Sequence, residues 1–207
     1  MIVDELKKDF GINKPFFLKD FVDNDKYNYD SIKMTLSKLV KSGELRRYDQ
    51  GTYYFPKENK YFGEDILDFR EVIECKYIID IKNKIDGYYT GIELLNSIGL
   101  TTQVVIRPEI ATNKETNILR LVKIRNNEVV LRKPIIKITN KNVHYLQLVD
   151  IFKYAYLDEI LSNKKKIMDF IKNNNLKKDY FAKNILKHCT NKIKSKILDS
   201  GIWDELC

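Results

Sequence analysis

The chain has 207 residues, 43% of them hydrophobic, and its 37 Lys+Arg against 29 Asp+Glu leave a net charge of +8. That length holds one ordinary domain and a small one, the positive balance favours polyanionic partners, and no apolar run approaches the ~20 residues that span a bilayer. Cys75, Cys189 and Cys207 are too far apart for a disulfide framework or a paired-thiol metal motif, which points to a reducing, cytoplasmic setting.

From the N-terminus, Ile2, Val3, Leu6 and Phe10 recur at helical spacing and Gly11 stops them, which predicts a first helix over Met1 to Phe10. Pro15 opens a predicted short second helix over Phe16 to Val22, closed by the turn formers Asp23, Asn24 and Asp25. A third helix begins near Tyr29, with Asp30 or Ser31 as cap. Ile32, Leu36, Leu39 and Val40 form its apolar face, Lys33, Ser37, Lys38 and Lys41 its outer face, and Gly43 its end.

Next come Leu45-Arg46-Arg47-Tyr48, the loop Asp49-Gln50-Gly51 and Thr52-Tyr53-Tyr54-Phe55, which together predict a basic, aromatic hairpin. Helix, glycine stop and hairpin in this order have the form of a recognition helix and wing, predicting a winged helix-turn-helix domain over residues 1–60. Its candidate DNA contacts are Tyr29, Lys33, Ser37 and Lys38 on the helix, and Arg46, Arg47 and Tyr54 in the wing. Leu36, Leu39, Leu45 and Phe55 are assigned to its core. Pro56 to Lys60 reads as a linker.

Beyond the linker, residues Asp65 to Lys84 are predicted mainly helical, with Ile73, Tyr77, Ile78 and Ile81 on one face and a stop at Gly87. A helix follows over Ile92 to Ile98, and then a strand-like alternation at Val104 and Ile106. A loop at Asn126-Asn127 would set Ile124 against Val129 and Val122 against Leu131, with one apolar face, and Ile135 to Thr139 supplies a further strand. Asn142 can cap a helix carrying Val143, Leu146, Val149, Ile151 and Phe152. The rest is Lys- and Asn-rich helix, turning at Asn173 to Asn175 and ending near Trp203. The expected architecture is thus α+β: a winged helix, then an antiparallel-sheet domain with flanking helices and a helical tail over residues 61–207.

Residues 1–60 hold 12 basic and 10 acidic side chains, residues 61–150 hold 13 and 12, and residues 151–207 hold 12 and 7. The excess charge therefore sits mostly in the tail, as a solvated helical face, a contact for DNA backbone or a dock for an acidic partner. His144 and His188 lack metal-ligand company, and His188-Cys189 stand adjacent, which suits no shared zinc. No phosphate loop, nucleophile elbow or HExxH pattern occurs. Asp80, Asp86 and Glu93 are unremarkable in spacing, so no catalytic residue, cofactor or metal is assigned, and a nuclease built on Glu93 ranks last.

A more specific signal comes from Gly51-Thr52-Tyr53-Tyr54-Phe55-Pro56-Lys57, Gly87-Tyr88-Tyr89-Thr90-Gly91, Leu94-Leu95-Asn96, Gly99-Leu100-Thr101-Thr102-Gln103-Val104, Thr112-Asn113 and Arg132-Lys133-Pro134. In order and content these resemble the AbiEi-like antitoxin family of type IV toxin-antitoxin systems, in its short members, across roughly residues 1–160. The resemblance implies a cytoplasmic prokaryotic autorepressor that binds double-stranded promoter repeats through a winged helix. It further implies an antitoxin part opposing a nucleotidyltransferase-like toxin in phage defence, without a required stable complex. By position it carries the DNA contacts onto Tyr29, Lys33, Ser37, Lys38, Arg46 and Arg47. The alternatives are a protein-interaction module or a solitary regulator without a toxin.

Overall fold

A computed structural model describes residues 2–21, 28–59, 63–64, 66–80 and 83–206. The architecture is α+β, with helices around antiparallel and mixed sheets. Two compact units divide the chain, Met1–Lys76 with Ile124–Asn127, and Tyr77–Lys123 with Glu128–Cys207. The first unit thus extends past the boundary expected at residue 60.

In the first unit α1 (Ile2–Phe10) buries Leu6, and Gly11 ends it at φ +83°, its N–H reaching the Lys7 carbonyl at 2.9 Å. The predicted second helix is replaced, as far as Phe21, by a two-residue strand β1 (Phe16–Phe17) and a 3-10 turn over Leu18–Phe21. Pro15 sets up extended backbone, the two aromatics pair with a neighbouring strand, and Asp20 accepts the Phe17 N–H at 2.8 Å to hold the turn. Val22 and the turn Asp23 to Asp25 lie outside the described residues, as do Met1, Lys60, Asp65, Ile81 and Cys207.

Helix α2 (Tyr29–Ser42) is capped not by Asp30 or Ser31 but by Asn28, in extended conformation, whose side chain accepts the Ser31 N–H at 3.1 Å. Gly43 closes it in the left-handed region at φ +84°. The hairpin then forms from β2 (Arg46–Asp49) and β3 (Thr52–Tyr54), with β3 central in the order β1-β3-β2. Arg46 pairs with Tyr54 and Arg47 with Tyr53, and a bulge between Arg47 and Asp49 brings Asp49 into the strand, leaving a two-residue Gln50-Gly51 turn. Leu6, Phe16, Phe21, Ile32, Leu36, Leu39, Leu45 and Phe55 make one core, in which Phe16 stacks on Phe10 at 4.5 Å and on Phe55 at 5.8 Å.

The expected linker instead holds a minimal pair, β4 (Glu58–Asn59) with β5 (Gly63–Glu64). The long helix expected over 65–84 is shorter, α3 (Phe69–Tyr77), because the chain reverses after Ile78. Asp80 accepts the Lys84 N–H, Asn83 adopts φ +57°, and Ile79 bridges Ile85.

The second unit is built on β6 (Gly87–Thr90), β7 (Glu109–Thr112), β8 (Leu119–Ile124) and β9 (Asn127–Arg132), in the order β6-β7-β9-β8, with the hairpin tip Ile124–Asn127 counted in the first unit. This sheet is mixed rather than antiparallel: β7 runs antiparallel to β6 but parallel to β9, in register Ile110 to Leu131. Gly87 opens a strand instead of stopping a helix. The turn between β8 and β9 is Arg125-Asn126, one residue earlier than expected, with Arg125 at φ +54°. The alternation nonetheless survives, since Ile124, Val129 and Leu131 are buried, and the slip leaves the same residues inward.

Two expected strands are absent. Val104 and Ile106 lie in an extended loop at 83% and 89% exposure. Residues 135–139 are irregular because their backbone is matched by a side chain: Asn113 donates to the Ile138 carbonyl at 2.9 Å and accepts its N–H at 2.8 Å.

Helices α4 (Gly91–Ser97) and α5 (Val143–Tyr154) pack together, and α5 is buried along most of its length. Asn142 holds the N-cap position of α5 as expected, but its side chain makes no capping hydrogen bond. Its side chain accepts the Thr139 N–H and donates to the Lys137 carbonyl, so it braces the incoming loop. The tail follows as α6 (Leu157–Ser162), α7 (Lys164–Asn173), α8 (Lys178–Tyr180) running into a π turn at Phe181–Ile185, α9 (Asn191–Asp199) and α10 (Ile202–Glu205). Ile160, Ile167, Phe181, Ile197 and Ile202 join the α5 core. No described helix is long and apolar enough to cross a membrane.

Candidate nucleic-acid interface

The apolar positions of α2, Ile32, Leu36 and Leu39, are inward, which turns Lys33, Met34, Ser37, Lys38 and Lys41 to solvent. Among the described residues Lys33, Lys38 and Lys41 make no ion pair, so three cations stand on one helical face without an internal partner. Tyr29 lies at the first turn, 40% exposed. Arg47 is exposed on β2, its Nε only 3.4 Å from the Asp49 carbonyl, a weak tether that leaves the guanidinium available.

Two expected contacts are corrected. Tyr54 is 6% exposed, because the period-2 alternation of β3 sends it inward with Thr52, and a buried ring cannot reach a groove. Arg46 is half-buried and donates to the Gly43 carbonyl at 2.7 Å, so it satisfies the end of α2. The surface that remains, Tyr29, Lys33, Ser37, Lys38 and Arg47, gains Lys41, which the sequence placed on the outer face without a contact, and Met34, which it did not place there. The signal for both was the helical period itself, because they fall opposite Ile32, Leu36 and Leu39.

The Gly87 to Gln103 motif has a different role. Gly87 is required by space: a Cβ there would lie 2.3 Å from the Tyr77 carbonyl oxygen and 2.8 Å from that of Ala111. Tyr88 and Thr90 both donate to one oxygen of Asp150 on α5, at 2.9 Å and 2.6 Å. Thr112 donates to the Tyr77 carbonyl at 2.8 Å, and Arg132 pairs with Glu109 at 2.6 Å. The motif thereby joins β6 to α5 by a buried polar bond. Sequence reasoning missed Asp150, since nothing near it in the chain marks a carboxylate whose donors are 60 and 62 residues away.

Burial pushes the Asp150 carboxyl above its ordinary range, against the opposing pull of Thr90, Lys153, Tyr88 and Arg132, and burial together with Asp150 drives the Tyr88 phenol well up. The crevice beside them, edged by Arg132, Lys133 and Lys153, measures about 20 Å³. That is room for a single water and no substrate. A raised carboxyl pKa adds stability below the unfolded value and loses it as pH rises through the folded one. The unfolding free energy of Asp150→Asn minus that of wild type should therefore grow as pH rises above the ordinary carboxylate range, read by urea melts; a flat difference would refute a buried, ionising Asp150. Asp150→Ala should cost about 2 kcal/mol, since two buried hydroxyls lose their acceptor.

In the tail, four lysines already have structural work. Lys164 pairs with Glu205 and Lys166 donates to the Gly99 carbonyl, both at 2.5 Å, Lys196 donates to the Ala155 carbonyl at 2.6 Å, and Lys178 lies over the Trp203 ring. Lys165, Lys172, Lys177, Lys183, Lys187 and Lys192 remain exposed. Cys189 is buried and its thiol is pushed up to about 11, which makes it inert at neutral pH. Among the described residues no group of His, Cys, Asp and Glu could hold a metal ion.

Fold and site together describe an α+β protein of two units, one bearing an exposed cationic helix beside a small hairpin and the other a sheet locked to a buried helix. Residues 2–179 match DUF6088, a family of unknown function, and the chain belongs to that family. No curated protein matches the sequence.

Proposed function

We propose that this protein is a sequence-selective duplex-DNA-binding regulator whose first unit is a winged helix. The single observation that carries this reading is the face of α2, where Lys33, Lys38 and Lys41, without internal partners, outnumber the one carboxylate Asp30 around Ser37 and Met34, ahead of a hairpin bearing Arg47. Supporting it, the order α1, β1, short turn, α2, β2, β3 with β3 central sets a hairpin directly after the helix that would serve as the recognition helix of a winged helix. The resemblance to AbiEi-like antitoxins extends the proposal to autorepression of a toxin-antitoxin operon in the cytoplasm, with the second unit serving the antitoxin role and no catalysis of its own.

The test is titration of the full chain into fluorescent duplexes recovered by selection from a random pool, against unselected duplex, across a salt series. Selected duplex should bind at least tenfold tighter, and four cationic contacts should give a slope of log affinity on log salt of about −3 to −4. Equal, salt-insensitive binding would overturn the reading. A second reading, a protein-interaction module, draws on the exposed Ile92, Val104 and Ile106 around a groove of about 350 Å³ in the second unit. It predicts that Val104→Ser with Ile106→Ser abolishes capture of a co-expressed nucleotidyltransferase-like toxin while leaving duplex affinity unchanged.

A further inference from the structure

One side chain on the α2 face is not explained by electrostatics. Met34 is 63% exposed and stands at the crest of the helix, directly opposite the buried Ile32, Leu36 and Leu39. Its neighbours at three, four and seven residues are Asp30, Ser31, Ser37, Lys38 and Lys41, all exposed. A lone apolar side chain ringed by two lysines, two serines and one aspartate makes no stripe of the kind a protein-docking helix presents. It complements a polyanion that carries an apolar feature of its own. In the major groove of B-DNA that feature is the thymine 5-methyl group, the one apolar mark on any base edge. Methionine suits it, because an unbranched thioether chain adapts to a methyl without demanding one rotamer.

Resting on the DNA-binding reading above, we propose that Met34 reads thymine through its 5-methyl group, so that the duplex bound here carries thymine under the crest of α2. The lysines beside it then hold phosphates and fix the helix in the groove, while Met34 discriminates the base. Sequence preference and salt dependence accordingly reside in different side chains of one helix.

The experiment takes the full chain and the tightest duplex of ~20 base pairs recovered from a random pool. Each thymine is replaced in turn by deoxyuridine, which keeps the base pair and removes only the methyl. One or two positions should lose about fourfold in affinity, the effect of one methyl no longer buried. In Met34→Ala, whose unchanged melting temperature reports an intact fold, the thymine duplex should bind about fourfold more weakly and the deoxyuridine duplex should bind no worse than the thymine one. Equal binding of both duplexes to the native chain at every position overturns the proposal while the regulator reading stands. A thymine preference that persists in Met34→Ala does the same. A selection that enriches no sequence overturns both.

Discussion

Lys33→Ala, Lys38→Ala and Arg47→Ala combined should weaken duplex binding by about 100-fold at moderate salt and lower the salt slope by about 3, since each phosphate contact contributes close to one released counterion. All three side chains are exposed, so the melting temperature should stay within a few degrees of the native value. The control keeps the same charge change elsewhere. Lys172→Ala, Lys183→Ala and Lys187→Ala remove three exposed tail cations, and this variant should keep the native affinity and slope. Equal losses in the two variants would mean that net charge, not the α2 face, attracts the duplex. Arg46→Ala belongs in a different class: its bond to the Gly43 carbonyl makes the expected loss one of stability, about 1 kcal/mol.

Gly87→Ala should be the most damaging single substitution, costing about 4 kcal/mol in urea melts of the full chain. A Cβ at 2.3 Å from one carbonyl oxygen and 2.8 Å from another meets backbone on two sides, so β6 must part from β7 or from the Tyr77 turn. That displacement also withdraws Tyr88 and Thr90 from Asp150. Gly51→Ala supplies the contrast: its φ of +69° strains an alanine, but nothing lies within 4 Å, and the expected cost is about 1 kcal/mol. Similar losses at the two glycines would show that conformation rather than space sets the requirement at Gly87.

The first unit was legible where local signals agree. Ile32, Leu36 and Leu39 repeat at helical spacing, Gly43 and Gly51 sit where positive φ is needed, and helix, stop and hairpin follow at once. Legibility failed where a longer-range partner overrode a local preference. Phe16 and Phe17 fit a short helix by composition but pair with Tyr53 and Thr52 instead. Ile135 to Thr139 has strand propensity, yet the Asn113 amide takes both backbone hydrogen bonds of Ile138 and the Asn142 amide takes the Thr139 N–H and the Lys137 carbonyl. The candidate interface shows the same division, since Lys33, Ser37 and Lys38 followed from the helical period, whereas packing decided which face of β3, that of Thr52 and Tyr54, turns inward.

What the sequence by itself determined is the α+β class, the amphipathic α2 with its cationic outer face, and the inward set of the β8–β9 hairpin. Each is a period of one segment, and period 3.6 or period 2 is written in neighbouring residues. Only the tertiary structure decided that β7 and β9 run parallel, that Arg46 closes a helix, and that Tyr88 and Thr90 converge on Asp150. Those outcomes turn on whether a polar group or a carbonyl finds its partner, and for a buried group an absent partner costs more free energy than any local propensity can return.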